Sequence, residues 1–181
     1  MDCRATSTKS RSGFTLTETL IAAGLGSIVL AGVAALTFYS SRSFAAIANY
    51  VDLDYRSRIT LDKMSQQIRQ ANRLTASTST SLTFEDYDGG TLTYNYDANA
   101  KTLTRTKNGL TDSKPLLTEC DFLQFLIFQR NPIGGTYDQF TAASAATCKL
   151  VQLKWVCSRK IFGSPVNTES VQSAKIVIRK Q

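Results

Sequence analysis

Apolar and polar positions divide the chain into a membrane-like first part and a mixed second part. Residues 19–41 are apolar, small or hydroxylated, and none of them carries a charge. As a helix, these 23 residues span about 35 Å, enough to cross a hydrocarbon core of about 30 Å with some tilt. The pattern therefore predicts a transmembrane helix, which we assign to residues 14–41.

Beyond this segment, apolar residues recur at the three- and four-residue steps of an amphipathic helix. They are Leu61, Met64, Ile68, Ala71 and Leu74, and the charged residues of the opposite face are Arg56, Asp62, Lys63, Arg69 and Arg73. Since no proline occurs before Pro115, we predict one continuous helix from about residue 14 to residue 74, with an amphipathic extension over residues 42–75. Its apolar stripe needs a cover. The basic face is expected either to be exposed to solvent or to bind nucleic acid or a partner, and we favour a solvent-exposed face.

A Thr- and Ser-rich stretch after Leu74 predicts a helix stop and a short linker, after which strand-like runs alternate with turn residues. The predicted strands are residues 81–85, 91–96, 102–106, 122–129, 149–157 and 174–179. The first three form a meander, and a loop with Pro132-Ile133-Gly134-Gly135 separates the fourth from the fifth. Residues 76–181 are thus predicted to form an antiparallel sheet head. The fold class is α+β, with the long helix packed on the sheet.

The sequence contains no histidine, which removes the commonest general base and the commonest neutral metal ligand. We therefore expect no enzyme and no catalytic residue. Glu85, Asp86 and Asp88 could bind calcium, but turn formation beside glycine explains them more simply. The cysteines of the head lack a fourth zinc ligand at close spacing. We predict no metal site and no cofactor.

Three cysteines lie in the predicted head: Cys120, Cys148 and Cys157. In an oxidising compartment, two of them are expected to pair and one to stay free. If strands 122–129 and 149–157 are antiparallel neighbours, pairing Gln129 with Cys148 also sets Cys120 opposite Cys157 and Phe122 opposite Trp155. We favour a bond between Cys120 and Cys157. Both pairings that involve Cys148 stay open.

Glu18 is the one charge at the entrance of the apolar run, where an ionised carboxylate costs a few kcal/mol unless it is paired. The sequence offers it no partner nearby. The preceding residues 1–13 hold three basic residues and one acidic residue, which is +2 of the net charge of +7. This bias predicts a cytoplasmic amino terminus, with everything after about Ser41 outside the inner membrane.

The residues Gly13, Phe14, Thr15, Leu16, Thr17 and Glu18, with the basic segment before them and the uncharged helix after them, resemble the prepilin motif. This motif is that of type IV pilins and of the pseudopilins of type II secretion. The resemblance implies a leader of residues 1–13, cleavage between Gly13 and Phe14 by prepilin peptidase, and N-methylation of Phe14. It also implies that Glu18 meets the terminal amine of a neighbouring subunit during fibre assembly.

The head resembles those of minor pseudopilins, which implies a minor subunit of a type IV pilus or a type II secretion pseudopilus. Such a protein sits in the bacterial inner membrane, with its head in the periplasm, before it enters a fibre used for protein secretion, adhesion, motility or DNA uptake. Its partners would be prepilin peptidase and other pilin or pseudopilin subunits. The alternative is a membrane-anchored extracytoplasmic binding domain with an ordinary signal sequence, cut after Ala46-Ile47-Ala48 to start near Asn49.

Overall fold

A computed structural model of the chain describes residues 13–130, 139–142, 144–161 and 164–180. Within these ranges, one helix, α1 (Leu16–Gln70), precedes two antiparallel sheets. The five-stranded sheet has the order β1-β2-β3-β4-β5, with β1 Arg73–Ser77, β2 Ser81–Glu85, β3 Thr91–Asp97, β4 Thr102–Lys107 and β5 Leu110–Thr111. The four-stranded sheet has the order β7-β6-β8-β9, with β6 Cys120–Arg130, β7 Gln139–Thr141, β8 Leu150–Ile161 and β9 Ser164–Val177. The layout is α+β and pilin-like, as the sequence predicts.

The chain divides into two compact units, one ending at Ser43 and the other beginning at Phe44. The second unit, called the head below, therefore holds the later part of α1 together with both sheets. The predicted head, residues 76–181, counts the sheets alone and stays a prediction as a domain boundary. The later part of α1 contacts those sheets.

One face of α1 lies in the hydrophobic core of the head. Its buried residues follow one another at steps of three and four: Leu53, Ser57, Thr60, Met64 and Ile68. The predicted stripe is confirmed at Met64 and Ile68, both fully buried, while Leu61 is only partly buried. The buried face extends toward the amino terminus through two polar residues, Ser57 and Thr60, which an apolar pattern does not reveal.

The helix ends at Gln70, so the predicted end at residue 74 is wrong. The N–H of Asn72 donates to the carbonyl of Glu85 at 2.8 Å, and Leu74 pairs with Phe84 on β2. The segment predicted as a linker thus begins with strand β1, and Arg73 lies on β1 rather than on the helix. The Leu74 side chain is buried in the core of the head. Strand pairing satisfies the backbone groups of this segment, so that it can be buried without a helix.

The predicted meander is confirmed as β2, β3 and β4, each within one residue of its predicted bounds. The short strand β5 is an addition that the prediction missed. It follows a two-residue turn at Asn108 and Gly109, whose φ angles are 52° and 80°. Positive φ at both positions is what a tight hairpin turn requires, and Asn-Gly is its commonest sequence.

The strands predicted at 122–129 and 149–157 are β6 and β8, and they pair antiparallel as predicted. A register shift at Asp121 places Phe122 opposite Val156 and Phe128 opposite Leu150. The predicted pairings of Phe122 with Trp155 and of Gln129 with Cys148 are therefore wrong, although Cys120 does stand opposite Cys157. The extra residue of a β-bulge moves every later pair by one position. The last strand, β9, begins at Ser164, ten residues before the predicted start. The segment Pro132-Ile133-Gly134-Gly135 lies outside the described residues.

Hydrogen bonds join the two sheets and fasten α1 to both. Along β6, the N–H of Phe125 donates to the carbonyl of Ser79 at 2.8 Å, which connects the second sheet to the first. On the helix, the Thr60 hydroxyl donates to the Leu116 carbonyl at 2.9 Å, next to the five-stranded sheet. The Gln172 amide of β9 donates to Asp54 of α1 at 3.0 Å. These bonds give partners to polar groups that would otherwise be buried without a hydrogen bond.

Candidate processing and assembly site

The predicted cleavage position lies just before α1. Gly13 and Phe14 precede the helix, Phe14 is 86% exposed, and nothing lies within 4 Å of where a Cβ would stand on Gly13. Among the described residues, none packs against Gly13, and the Phe14 side chain is exposed. A protease that must surround a scissile bond can approach it here without unfolding any part of the helix.

Thr15 and Glu18 form a capping box at the start of α1. The backbone N–H of Thr15 donates to Glu18 Oε2 at 2.9 Å, and the Thr15 hydroxyl donates to the same oxygen at 2.8 Å. In return, the backbone N–H of Glu18 donates to Thr15 Oγ1 at 3.3 Å. This reciprocal pattern satisfies two of the N–H groups that every helix leaves unpaired at its start.

Glu18 therefore has a local partner, which corrects the expectation that it has none nearby. The partner is neutral, so it supplies hydrogen bonds without compensating the charge. Both bonds fall on Oε2, and among the described residues Oε1 has no hydrogen-bond partner. Because each carboxylate oxygen can accept more than one hydrogen bond, Oε1 stays available to a cation while Oε2 holds the cap.

The apolar segment after Glu18 lies bare in the isolated chain. An 18-residue window of α1 reaches a mean hydropathy of 2.2, and none of that window is buried. Its large side chains from Leu20 to Tyr39 are 55% to 79% exposed. Added Cβ atoms at Gly24, Gly26 and Gly32 would meet nothing within 4 Å. The small residues thus form open hollows on a surface whose length and composition suit a lipid bilayer.

A second exposed apolar stripe, which the sequence reasoning missed, lies on the part of α1 that belongs to the head. We call it the outer stripe: Phe44, Ile47, Val51, Tyr55 and Ile59, each 49% to 69% exposed. The steps of three and four between its members place them on one side of the helix. The spacing was readable in the sequence, but only the structure shows that the head covers a different side, the one that carries Leu53, Met64 and Ile68.

Most charged residues predicted on the solvated helix face form ion pairs within the head. Arg56 pairs with Asp52 at 3.0 Å, and Lys63 pairs with Asp112 at 3.3 Å. Arg73 pairs with Glu85 at 2.7 Å across the first two strands. These pairs reduce the positive charge available to nucleic acid, consistent with a solvated face. Arg69 lines an open cleft of about 650 Å³ together with Tyr87, Arg179 and Lys180.

The carboxylates weighed as calcium ligands are held by cations and by a turn. Lys107 Nζ lies 2.7 Å from Asp86 and 3.0 Å from Asp88. Asp88 also accepts a hydrogen bond from the N–H of Gly90 at 2.9 Å, as a turn-forming aspartate does. Among the described residues, no group of three potential metal-ligating side chains converges.

The cysteines of the head are all buried, and the structure brings two of them together. Cys120 of β6 stands opposite Cys157 of β8, which is the favoured pairing, and all three cysteines are unbridged in this structure. Cys148 lies before β8 and precedes Cys157 by nine positions, seven of them along the extended strand from Leu150. The structure thus separates Cys148 from both of its predicted alternatives.

Comparison with known proteins adds one finding at the amino-terminal segment. A sequence model described as the prokaryotic N-terminal methylation motif matches residues 8–34, a span that includes Gly13, Phe14 and Glu18. The search of curated proteins and the search of solved structures found no significant match. The matched motif supports the resemblance to type IV pilins and pseudopilins and indicates a pilin-like substrate of prepilin peptidase. It covers 27 of the 181 residues, and the head lies outside it.

Proposed function

We propose that this protein is a minor pilin or pseudopilin, a non-enzymatic subunit that assembles into a type IV pilus or a type II secretion pseudopilus. The methylation motif at residues 8–34 is the observation that carries the proposal. Prepilin peptidase cuts between Gly13 and Phe14 on the cytoplasmic side, and the amine of Phe14 is methylated. The head then lies outside the inner membrane until the subunit enters the fibre.

Glu18 selects the position of the incoming subunit. When the leader is removed, Phe14 carries a cationic amine, and a neighbouring subunit offers the free Oε1 of its Glu18. A carboxylate and an ammonium attract far more strongly in a low-dielectric setting than in water, and pairing relieves both of an unpaired-charge penalty. The capping bonds to Thr15 hold the carboxylate in place while Oε1 accepts the amine.

Both exposed parts of α1 support the assembly role. Helices leaving the bilayer exchange lipid contacts for contacts with neighbouring helices, so little hydrophobic free energy distinguishes the two environments. The outer stripe is an exposed apolar surface of the head, which the sheets leave uncovered. Packing of the outer stripe against neighbouring subunits gives its five large side chains the cover that the monomer lacks.

The mature amino terminus tests the proposal. Intact-mass and peptide mass spectrometry of the full chain, purified from cells with an active prepilin peptidase, should find N-methyl-phenylalanine at Phe14. The variant Gly13→Leu should stay unprocessed, because a larger side chain occupies a position where the native residue has no Cβ. A matched Gly24→Leu variant lies within the helix, away from the scissile bond, and should be cut normally.

Two results would contradict the proposal. A purified native chain that retains residues 1–13 despite the active peptidase removes the fibre-subunit role. A mature chain that starts near Asn49 favours an ordinary signal sequence instead, although that cut would fall inside the continuous helix α1.

A further inference from the structure

The buried cysteine pair of the head has a geometry suited to a covalent bond. Cys120 and Cys157 are direct cross-strand partners on β6 and β8, and they are 0% and 1% exposed. The two residues are 37 positions apart in the sequence, so the contact is made by the sheet and not by local chain geometry.

The backbone hydrogen bonds show that Cys120 and Cys157 form a non-hydrogen-bonded pair of the antiparallel ladder. The N–H of Cys120 donates to the carbonyl of Lys101 at 3.0 Å and thus points away from Cys157. The N–H of Ser158 donates to the carbonyl of Glu119 at 3.0 Å, one position outside the pair. Cys120 and Cys157 are therefore a pair without mutual backbone hydrogen bonds. Such pairs have Cα atoms about 4.5 Å apart, within the range that a disulfide spans.

Cys148 cannot compete for either sulfur in the folded head. It precedes Leu150, and Cys157 follows Leu150 by seven positions, a distance of about 23 Å along a strand. Cys120 lies opposite Cys157, so Cys148 is equally remote from it. Burial raises the pKa of Cys148, which keeps it a protonated thiol of low reactivity.

The cysteine pair sits inside an ion-pair clamp that holds α1. Arg159 Nη2 lies 2.5 Å from Glu119 Oε2, and Arg159 Nη1 lies 3.1 Å from Asp52 Oδ2 on the helix. Glu119 directly precedes Cys120, and Arg159 follows Cys157 by two residues. Glu119 also has a φ of 57°, an unfavourable backbone conformation that the surrounding structure must enforce. A link between the cysteines would hold both halves of this clamp in register.

We infer that Cys120 and Cys157 form a structural disulfide that fixes the clamp between the four-stranded sheet and α1, while Cys148 remains a buried free thiol.

The bond forms by exchange with a disulfide donor, either a protein disulfide or oxidised glutathione. One cysteine thiolate attacks the donor and releases the first donor thiol. The other cysteine then attacks the mixed disulfide and releases the second. Each cysteine gives up one proton and one electron. Because both sulfurs are buried, exchange precedes closure of the head.

The inference rests on the proposed function only for the oxidising compartment that places the head beside such a donor. The full chain, purified in detergent from expressing cells without reductant, is denatured in iodoacetamide, digested and analysed by mass spectrometry. We expect a linked peptide that joins Cys120 to Cys157, and an alkylated Cys148. Alkylation of all three thiols, or a link that contains Cys148, overturns the inference.

Thermal unfolding supplies a second measurement, in which the wild type is compared with itself in the presence and absence of reductant. Reductant, added in denaturant and kept through refolding and heating, should lower the unfolding temperature of the wild type and of Cys148→Ala by about 10 °C, as expected for a bond that closes a loop of this length. The double variant Cys120→Ala/Cys157→Ala should not respond to reductant, and an unresponsive wild type contradicts the inference. The amino terminus of the same sample separates the two proposals. An unlinked chain beginning at Phe14 refutes the disulfide alone, and a linked chain retaining residues 1–13 refutes the fibre role alone.

Discussion

Glu18 caps the start of α1, and the proposed function gives it a second role in assembly. Its Oε2 caps the helix through Thr15, and its Oε1 has no hydrogen-bond partner among the described residues. A residue kept only for capping would need hydrogen bonds but no charge, since a neutral amide also accepts them. A residue that recruits an ammonium needs the charge itself.

Substitution of Glu18 distinguishes these roles. Glu18→Ala should leave membrane insertion and cleavage intact but abolish incorporation into the fibre, because the carboxylate that meets the neighbouring amine is gone. Glu18→Gln keeps an oxygen for the Thr15 cap and removes the charge, and we expect the same loss of incorporation. The measurement is the ratio of fibre-associated to membrane-associated mature protein. Normal incorporation of Glu18→Gln would leave capping as the only role of this residue.

Thr15 provides the matched control at the other end of the box. Thr15→Val removes the hydroxyl that donates to Glu18 and accepts from its N–H, while the backbone bond from residue 15 to Glu18 remains. Loss of an N-cap costs about 1 kcal/mol of helix stability. Incorporation of this variant should fall far less than that of Glu18→Gln.

At the scale of the element, the part of α1 within the head has two apolar surfaces, one buried and one exposed. The inner surface, with Met64 and Ile68, is covered by the sheets, and the outer stripe is left bare. A sequence pattern reports that residues share a side of a helix, but it does not report which side the sheets cover. That choice depends on where Thr60, Asp54 and Asp52 find their partners.

A matched pair of isoleucines tests this assignment. Ile68 is fully buried and Ile59 is 49% exposed, and both lie on α1. Ile68→Ala should destabilise the head by about 2 to 4 kcal/mol through lost burial and a cavity. Ile59→Ala should change stability by less than about 0.5 kcal/mol yet reduce incorporation, since it lies on the outer stripe.

The fluorescence of Trp155, the single tryptophan, reports on this core because its side chain is fully buried. Urea unfolding of the full chain in detergent, followed by that signal, gives the two stabilities. Equal losses of stability would mean that both sides of the helix are packed within the monomer. Full incorporation of Ile59→Ala would remove the outer stripe from the assembly surface.

At the scale of the whole molecule, ion pairs join the helix to the two sheets, so stability should depend on acidity. The pKa values of Asp52, Asp112 and Asp121 are lowered from the usual 3.8. Burial opposes the shift at Asp112, but hydrogen bonds and charge from Arg105 and Lys63 outweigh it. At Asp121 the hydrogen bond from Lys101 is the largest cause.

Groups with lowered folded pKa values stabilise the head above the unfolded value and lose that contribution as the pH falls below it. The free energy of unfolding should therefore be nearly constant from pH 7 to about pH 5 and decline below about pH 4. Asp112→Asn should cost about 1 to 2 kcal/mol at pH 7, because Arg105 keeps only a neutral partner, and should flatten the acid decline. Urea unfolding of the full chain at a series of pH values measures both effects.

Asp62 is the control for this series. It is exposed on α1, and within the described ranges it has no ion-pair partner. Asp62→Asn should leave both the stability at neutral pH and the acid decline as they are in the wild type. An Asp112→Asn variant that behaves in the same way would show that the pair with Arg105 contributes nothing to folding.

Several features of the head were readable in the sequence because they depend on neighbours along the chain. The meander follows from alternating residues between turn formers, and the helical stripe follows from steps of three and four. The antiparallel pairing of β6 with β8 and the opposition of Cys120 and Cys157 were also predicted, but the predicted register of the rest of the ladder was off by one residue. The neighbouring pairing of Phe122 was wrong because a single bulged residue at Asp121 shifts the ladder, and no local pattern announces it.

The end of α1 and the start of β1 show the same limit. Apolar spacing continued through Ala71 to Leu74, so periodicity alone extended the helix by four residues. The backbone from Asn72 onward instead pairs with β2, whose position is known only once the meander has folded back. Pairing with β2 therefore overrode a weak local preference for continuing the helix through residue 74.

By itself, the sequence determined the processing motif, the single membrane-length helix and the strand-rich character of the head. All three are properties of contiguous residues, and hydrophobicity, charge and spacing act over short stretches of chain. Only the tertiary structure decided which side of α1 is buried, that the strands form two sheets, and that Arg159 joins Glu119 to Asp52. Those contacts connect residues that are far apart in the chain, and their free energy exists only when the whole head has closed around them.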